Sequence, residues 1–375
     1  MEKLLSDLIG NVNTLSVYIH IPFCKKKCYY CDFVSYEEGS VENYINALSK
    51  EIELYSDYLK RGIRTLYIGG GTPSYINEHY IEQLVKNLEK YLVFEEFTIE
   101  VNPDSFDRQK AQFYKEIGVS RLSIGIQSFD NEVLKKAGRS HDSVQALKAY
   151  NVAREYFENV NVDFIIGLPG ESWSSIEEIV KFIRENHPPH ISVYLLEIHE
   201  GTILSNFYKK IPEESYNRYE VLLDFLKSEG YERYEISNFA LDKNYSKHNL
   251  VYWANLDYIG LGLSSGGHIG NLRYNNVSDF ETYYSMLKHD KFPRSYENEN
   301  TLEREVLESI FMMLRTKWGI DRKLLPILPG FEKVIELLKK KYDFFDGQKL
   351  NEMGMDFSSI FFTNLLEIWE DFYEI

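Results

Sequence analysis

Cysteine is scarce in this chain, with three among 375 residues. So small and odd a count excludes a disulfide framework and fits a reducing compartment in which thiols are kept for a metal. Long apolar runs are missing too: no stretch reaches about eighteen residues, so no membrane-spanning helix is expected. The N-terminus lacks the basic region, apolar stretch and small-residue cleavage site of a secretory signal, and a cytoplasmic protein is expected. Positive charge is in short supply, 42 Lys and Arg against 58 Asp and Glu, for a net charge of -16. That balance argues against nucleic acid as a partner, because neutralising phosphates needs clustered cations. Internal repeats and low-complexity tracts are also absent, which excludes a solenoid.

What is present is concentrated. All three cysteines fall in Ile21-Pro22-Phe23-Cys24-Lys25-Lys26-Lys27-Cys28-Tyr29-Tyr30-Cys31, spaced C-x3-C-x2-C. Thiolate sulfur is a soft ligand that selects iron-sulfur clusters, zinc or copper(I), and this local spacing lets one loop wrap a centre. A structural zinc site normally closes with four protein ligands, whereas three leave one metal position open for chemistry. A zinc site completed by His20 is the competing reading. Lys25, Lys26 and Lys27 either moderate the charge of the thiolates or form a solvated loop. The 29 Tyr and 23 Phe serve a core, a ligand surface or a subunit interface, three uses that composition does not separate.

The length exceeds the ~100–200 residues of one domain, so a large domain with an appendage, or two domains, is expected. Short β-branched runs alternate with longer amphipathic stretches, the pattern of βα units around a parallel sheet. Strands are expected at 15–21, 64–69, 97–101, 121–126, 160–166 and 190–196. A helix from Val41 towards Lys60 would place Tyr44, Ile45, Leu48, Ile52 and Tyr55 on one stripe. Unusual residues follow each strand: the cysteines, then Gly69-Gly70-Gly71-Thr72-Pro73, Glu100-Val101-Asn102-Pro103, Gly125-Ile126-Gln127-Ser128 and Gly167-Leu168-Pro169-Gly170. Carboxyl ends of successive strands are where βα barrels build their sites. The glycine run lets backbone approach a ligand closely, and without a following Gly-Lys-Ser/Thr it is not a phosphate loop. Beyond 200, a helix is expected at 215–229 and strand-like stretches at 231–239 and 268–274. A polar linker at Glu297-Asn298-Glu299-Asn300 precedes a helix capped at Thr301, and further helices are expected at 331–341 and 358–372.

From Tyr18-Ile19-His20-Ile21-Pro22-Phe23-Cys24 through Cys31-Asp32-Phe33 the chain resembles radical S-adenosylmethionine (SAM) proteins, in the group that contains oxygen-independent coproporphyrinogen III oxidases and haem chaperones. The resemblance implies an α/β fold: a partial (β/α)6 TIM-like barrel with a small C-terminal helical, winged-helix-like domain. It implies a 4Fe-4S cluster on Cys24, Cys28 and Cys31, with SAM on the open iron. By the same resemblance Gly70, Gly71 and Thr72 receive the SAM methionine, and Glu100, Gln127, Arg139 and Asp163 surround SAM. Tyr18 and Tyr30 match positions that flank SAM or the cluster. A guanidinium for a carboxylate, with carboxylates or amides accepting from ammonium and hydroxyl groups, is chemistry that suits this ligand. Each could instead be a salt-bridged, capping or packing residue.

His248-Asn249-Leu250-Val251-Tyr252-Trp253 resembles the H-N-x-x-Y-W motif of the chaperone branch, which implies haem as cargo at His248, Tyr252 and Trp253. Histidine is a common haem ligand and aromatic rings pack on the macrocycle; the bland alternative is a core histidine among aromatics. His268 is a second candidate ligand or a loop residue, in a stretch that departs from the relatives' pattern. Three features favour the chaperone branch: Phe33 stands where the oxidase branch has a fourth cysteine, seventeen residues precede Tyr18, too few for the oxidase's N-terminal arm, and the His248 motif is present. The expected units are 1–200 (barrel), 201–296 (extension with the haem motif) and 297–375 (helical domain). The expected partners are haem and acceptor haemoproteins, through which peripheral membrane association stays open. The competing function is oxidative decarboxylation of coproporphyrinogen propionates, and a zinc-stabilised interaction module is a third class.

Overall fold

Side-chain alternation along six strands sets the architecture in the computed structural model, which describes residues 13–373; the ends of the expected 1–200 and 297–375 units lie outside the described residues. Strands β1 (Leu15–Ile21), β2 (Ile63–Gly70), β3 (Leu92–Val101), β4 (Arg121–Gln127), β5 (Asn159–Ile166) and β6 (His190–Leu195) run parallel in sequence order. One face carries Val17, Ile19, Leu66, Ile68, Phe97, Ile99, Leu122 and Ile124, all buried in the main core. Each such side chain contributes about 1.5–3 kcal/mol on leaving water.

The opposite face is polar. Thr65 donates to Ser16 (2.7 Å), Tyr67 to Glu100 (2.8 Å), and Asn161 to Ser123 (2.8 Å) and Asp163 (2.8 Å). These groups line the lumen, where a (β/α)8 barrel would pack layers of branched apolar side chains. Helices cover the apolar face: α1 (Val41–Leu54), α2 (Ser56–Leu59), α3 (Glu78–Leu88), α4 (Arg108–Glu116), α5 (Asn131–Lys136), α6 (Ser143–Tyr156) and α7 (Trp173–Asn186). The α1 stripe of Tyr44, Ile45, Leu48 and Ile52 is buried as its 3.6-residue period requires.

The barrel does not close. Beyond α8 (Glu214–Ser228), the short strands β7 (Glu232–Arg233) and β8 (Asn238–Ala240) add to β6, and after α9 (Lys247–Trp253) strand β9 (Tyr258–Leu261) pairs parallel with β1. Strands β10 (Gly266–Ile269), β11 (Leu272–Asn276) and β12 (Arg294–Glu299) continue antiparallel, with α10 (Phe280–Lys288) between the last two, so the sheet has twelve strands with β1 and β6 both in its middle.

Three sequence expectations change here. The stretch at 231–239 splits into β7 and β8, and that at 268–274 is a hairpin turning at Gly270, whose φ of +64° favours glycine. Of the polar residues read as a linker at 297–300, Glu297, Asn298 and Glu299 form the end of β12, paired with β11, and Asn300 follows it. An edge strand that faces water has no apolar alternation to betray it.

C-terminal to β12, Thr301 caps α11 (Leu302–Leu314) by accepting from the Arg304 N–H (3.3 Å). With α12 (Phe331–Lys341), α13 (Glu352–Asp356) and α14 (Ser358–Tyr373), this helix encloses a second core around Ile310, Leu314, Phe331, Leu338, Phe361 and Leu365. One β bridge, Phe345 with Leu350, is the extended piece between helices. Among the described residues no helix is long and apolar enough to cross a membrane.

Glu51 of α1 joins the two halves of the sheet from a fully buried position. Its carboxyl accepts from Tyr283 (2.6 Å), the Gly262 N–H (2.8 Å) and Asn276 (2.7 Å). Burial pushes it up to about 7. The folded chain therefore holds this proton where the unfolded chain has released it, so the stability it contributes is full below about pH 4.5 and is lost as pH rises towards 7. Glu51→Gln should flatten that decline by up to roughly 3 kcal/mol, because each tenfold change in proton affinity is worth about 1.4 kcal/mol. Urea unfolding of both proteins at pH 5 and pH 8 reads it, and equal declines would remove the assignment.

Candidate metal centre

Proline and glycine end the strands and gather the site. Pro22, Pro73, Pro103 and Pro169 stand just beyond β1, β2, β3 and β5, where a missing N–H and a fixed φ stop further pairing. The loop after β1 is held by backbone: Cys24 N–H donates to Tyr36 O (2.9 Å), Tyr29 N–H to Ala137 O (2.9 Å) and Cys31 N–H to Cys28 O (3.2 Å). The glycine loop clamps it from the side, Gly71 N–H donating to Ile21 O (2.8 Å) and Thr72 N–H to Phe23 O (2.8 Å).

All three thiols therefore face the carboxyl end of the barrel. Cys24 is buried and receives the Thr72 hydroxyl at 3.6 Å; Cys28 receives Arg139 Nη1 at 3.2 Å. Burial raises the Cys24 thiol and pushes Cys31 up to about 11. A metal centre takes thiolates, so its assembly here releases protons. Among the described residues no three His, Cys, Asp or Glu side chains are drawn together as they would be around a bound metal ion. His20 is engaged elsewhere, its Nε2–H donating to Val34 O (2.8 Å) and its Nδ1 accepting from Tyr18 (3.1 Å). In the lysine run Lys25 pairs with Asp104 (3.3 Å), Lys26 lies 5.3 Å from the Tyr29 ring centre, and Lys27 donates to Phe33 O (3.2 Å) while its charge favours the Cys31 thiolate.

Residues for a zwitterionic ligand surround the thiols. Arg139 donates to Tyr30 (3.4 Å), Asn102 (3.0 Å) and Gly125 O (2.5 Å). Glu100 accepts from Gly70 N–H (3.1 Å) and Tyr67 (2.8 Å), and burial pushes its carboxyl up to about 7. Asp163, inside the lumen on β5, accepts from Ser123 (3.1 Å) and Asn161, and burial raises it as well. Gln127 sits at φ +70° at the end of β4, and its buried Oε1, like Arg139 Nε, has no hydrogen-bond partner among the described residues. A Cβ at Gly70 would lie 2.6 Å from the His20 ring, and one at Gly71 2.8 Å from Phe23 O. Three soft donors, a glycine cradle and unpaired polar atoms fit an iron-sulfur cluster with an amino-acid ligand beside it. Sequence reasoning missed Tyr67 and His141, whose Nδ1 lies 3.4 Å from Arg139 Nη2; Tyr67 shares the inward face with named neighbours and could have been found by counting in twos along β2.

The His248 motif lies at the other end of the barrel. Helix α9 presents its first amides to Glu96 on β3, Lys247 N–H and His248 N–H each donating at 3.0 Å. His248 is wholly buried, Nδ1–H donating to Thr65 (2.8 Å) and Nε2 accepting from Tyr252 (2.7 Å), and burial pushes it down to about 3. The expected four-residue pairing of His248 with Tyr252 is there, and both ring nitrogens are occupied, so ligating iron through Nε2 would displace Tyr252 while Nδ1–H could keep its bond to Thr65. Trp253 is half-buried beneath the Arg315 guanidinium (5.1 Å). The His248 ring is thus buried at the barrel floor. His268 is also buried, 2.8 Å from Glu305 of α11, and ties the sheet to the C-terminal helices. Removing the ring in His248→Ala should cost about 2–4 kcal/mol, from a cavity and two stranded hydroxyls; an unchanged urea midpoint would contradict that burial.

The open barrel with three thiols after its first strand is that of a radical SAM protein, and the profile described as Radical SAM superfamily matches residues 18–183. The protein named Heme chaperone HemW of Bacillus subtilis is 36% identical over 324 residues, 82% of this chain and 85% of that protein; the one of Lactococcus lactis is 32% identical over 94% of this chain and 97% of its own length. The chain belongs to the HemW family. The solved structure of coproporphyrinogen III oxidase (HemN) from Escherichia coli shares the fold, with a TM-score of 0.82 at 22% identity over 98% of this chain and 92% of that one.

Proposed function

We propose that this protein is a cytoplasmic haem chaperone that binds a 4Fe-4S cluster on Cys24, Cys28 and Cys31, binds SAM, and hands haem to acceptor haemoproteins. The observation that carries the reading is likeness to proteins named haem chaperones along nearly the whole chain, joined to Phe33 in place of a fourth thiol near the cluster loop. When bound, the cluster and SAM would supply one-electron chemistry, while the protein supplies binding, orientation and exclusion of water. Arg139 would offer its guanidinium to a carboxylate; Glu100 and Asp163 would accept from ammonium and hydroxyl groups; Gly70, Gly71 and Thr72 would bring backbone close. Tyr18, Tyr30 and Gln127 would complete the walls of that pocket.

Anaerobic haem titration of the cluster-loaded protein tests the reading, with coproporphyrinogen turnover and SAM cleavage followed in parallel. Saturable, near-stoichiometric uptake, transfer to an apo-haemoprotein and no release of carbon dioxide are expected. Decarboxylation without haem uptake would make the oxidase reading the correct one.

A further inference from the structure

Two buried donors on neighbouring side chains stand without an acceptor. Arg315 Nε and Trp253 Nε1 are both shut off from water, and neither has a hydrogen-bond partner among the described residues. The Arg315 guanidinium lies over the Trp253 ring at 5.1 Å and over the Phe362 ring of α14 at 5.6 Å. No carboxylate among the described residues forms an ion pair with it; Glu235 and Glu197 favour its charge only from further away. Glu235 itself accepts from Asn238, and Glu197 lies 3.6 Å from His199 Nε2. Burial works against the charge and lowers the guanidinium's hold on its proton. A buried donor left without an acceptor is costly, so two on touching side chains fit an acceptor that comes from outside the chain.

The backbone fixes this pair. Arg315 ends α11, its N–H donating to Met312 O (3.2 Å), and the next residue, Thr316, forms a β bridge with Glu235 just ahead of β8. On the other side Asn255, after α9, donates to Glu305 (2.6 Å) and Ser309 (2.9 Å) and holds α9 against α11. Strand β8 pairs with β6, while α9 leads into β9 beside β1, so Arg315 stands on the side where the barrel does not close. Trp253, Arg315 and Phe362 are each half-buried, as is Phe311, 5.5 Å from Phe362, which leaves a patch of flat rings reachable from water with a guanidinium among them. The end of a helix suits a cation, which accounts for the charge but not for the two unpaired N–H groups. A planar fork beside aromatic faces is chemistry for a carboxylate carried on a flat apolar body.

We propose that Arg315, with Trp253 beside it, receives a propionate carboxylate of the carried haem. This rests on the haem-carrying reading above. It gives the C-terminal helical domain a share in holding the cargo, from the far side of the helix that carries the His248 motif.

The test titrates the full-length, cluster-loaded protein anaerobically with haemin and, separately, with haemin dimethyl ester, whose propionates carry no charge, following absorbance. Arg315→Gln should weaken haemin binding roughly 10- to 150-fold while leaving the affinity for the ester and the iron-sulfur content unchanged. Arg315→Lys, which keeps the charge without the planar fork, should recover part of the loss. The wild-type protein should bind haemin more tightly than the ester, and equal affinity for the two would overturn the proposal without recourse to any variant. If Arg315→Gln binds haemin as wild type does, or loses haemin and ester alike, the carboxylate contact is overturned although haem carriage stands. If the wild-type protein takes up no haemin, both fall together.

Discussion

Replacing Cys24 by alanine should abolish the iron-sulfur chromophore, taking reconstituted iron from about four atoms per chain to none. The proposed ligand set is the three thiols alone, since the sequence contains no fourth and His20 is committed to Val34 and Tyr18. Losing one sulfur leaves two, too few to retain a cubane. The barrel should survive, since Cys24 lies in a loop pinned by backbone bonds to Tyr36 and Thr72 and not in the core. Unchanged far-ultraviolet circular dichroism with loss of iron and labile sulfide is therefore the expected pair of results. Wild-type iron and sulfide in the variant would overturn the ligand set, and one zinc per wild-type chain would restore the zinc module.

Gly71→Ala should damage the same site without removing any donor. The added methyl would lie 2.8 Å from Phe23 O, 3.0 Å from Ile21 O and 3.0 Å from Cys24 Sγ. Two of these neighbours are backbone atoms that cannot rotate aside, so the cysteine loop must move away from the glycine loop. Overpacking of this kind costs about 1–3 kcal/mol, and its relief here falls on the hydrogen bonds that set the thiols against the SAM residues. We expect SAM affinity, measured by equilibrium dialysis on cluster-loaded protein, to fall roughly 5- to 150-fold, with a lower urea midpoint from the same overpacking. Equal SAM affinity in variant and wild type would mean that the glycine loop does not line that pocket.

Much of the fold was legible because the information is local. The six barrel strands announce themselves by β-branched runs ended by glycine and proline, and the α11 cap by Thr301 two residues after a strand end. The cysteine motif needed no folding to be seen, since its ligands lie within one short loop. Edge strand β12 escaped notice because a water-facing strand carries no apolar period.

The sequence by itself determined the chemistry available: three soft donors in one loop, a glycine run, carboxylates on two strands and a guanidinium after α5. Only the tertiary structure decided how each histidine is engaged. In the chain His248 sits in an aromatic motif that invites a ligand reading, while His199 stands in an unremarked stretch between two strands. Parallel pairing of β9 with β1 carries α9 under the barrel, where desolvation keeps the His248 ring neutral and Thr65 and Tyr252 occupy it. The turn after β6 lifts His199 into solvent beside Asp32. Burial and hydrogen bonding across 183 residues depend on which strands pair, and no local pattern encodes that.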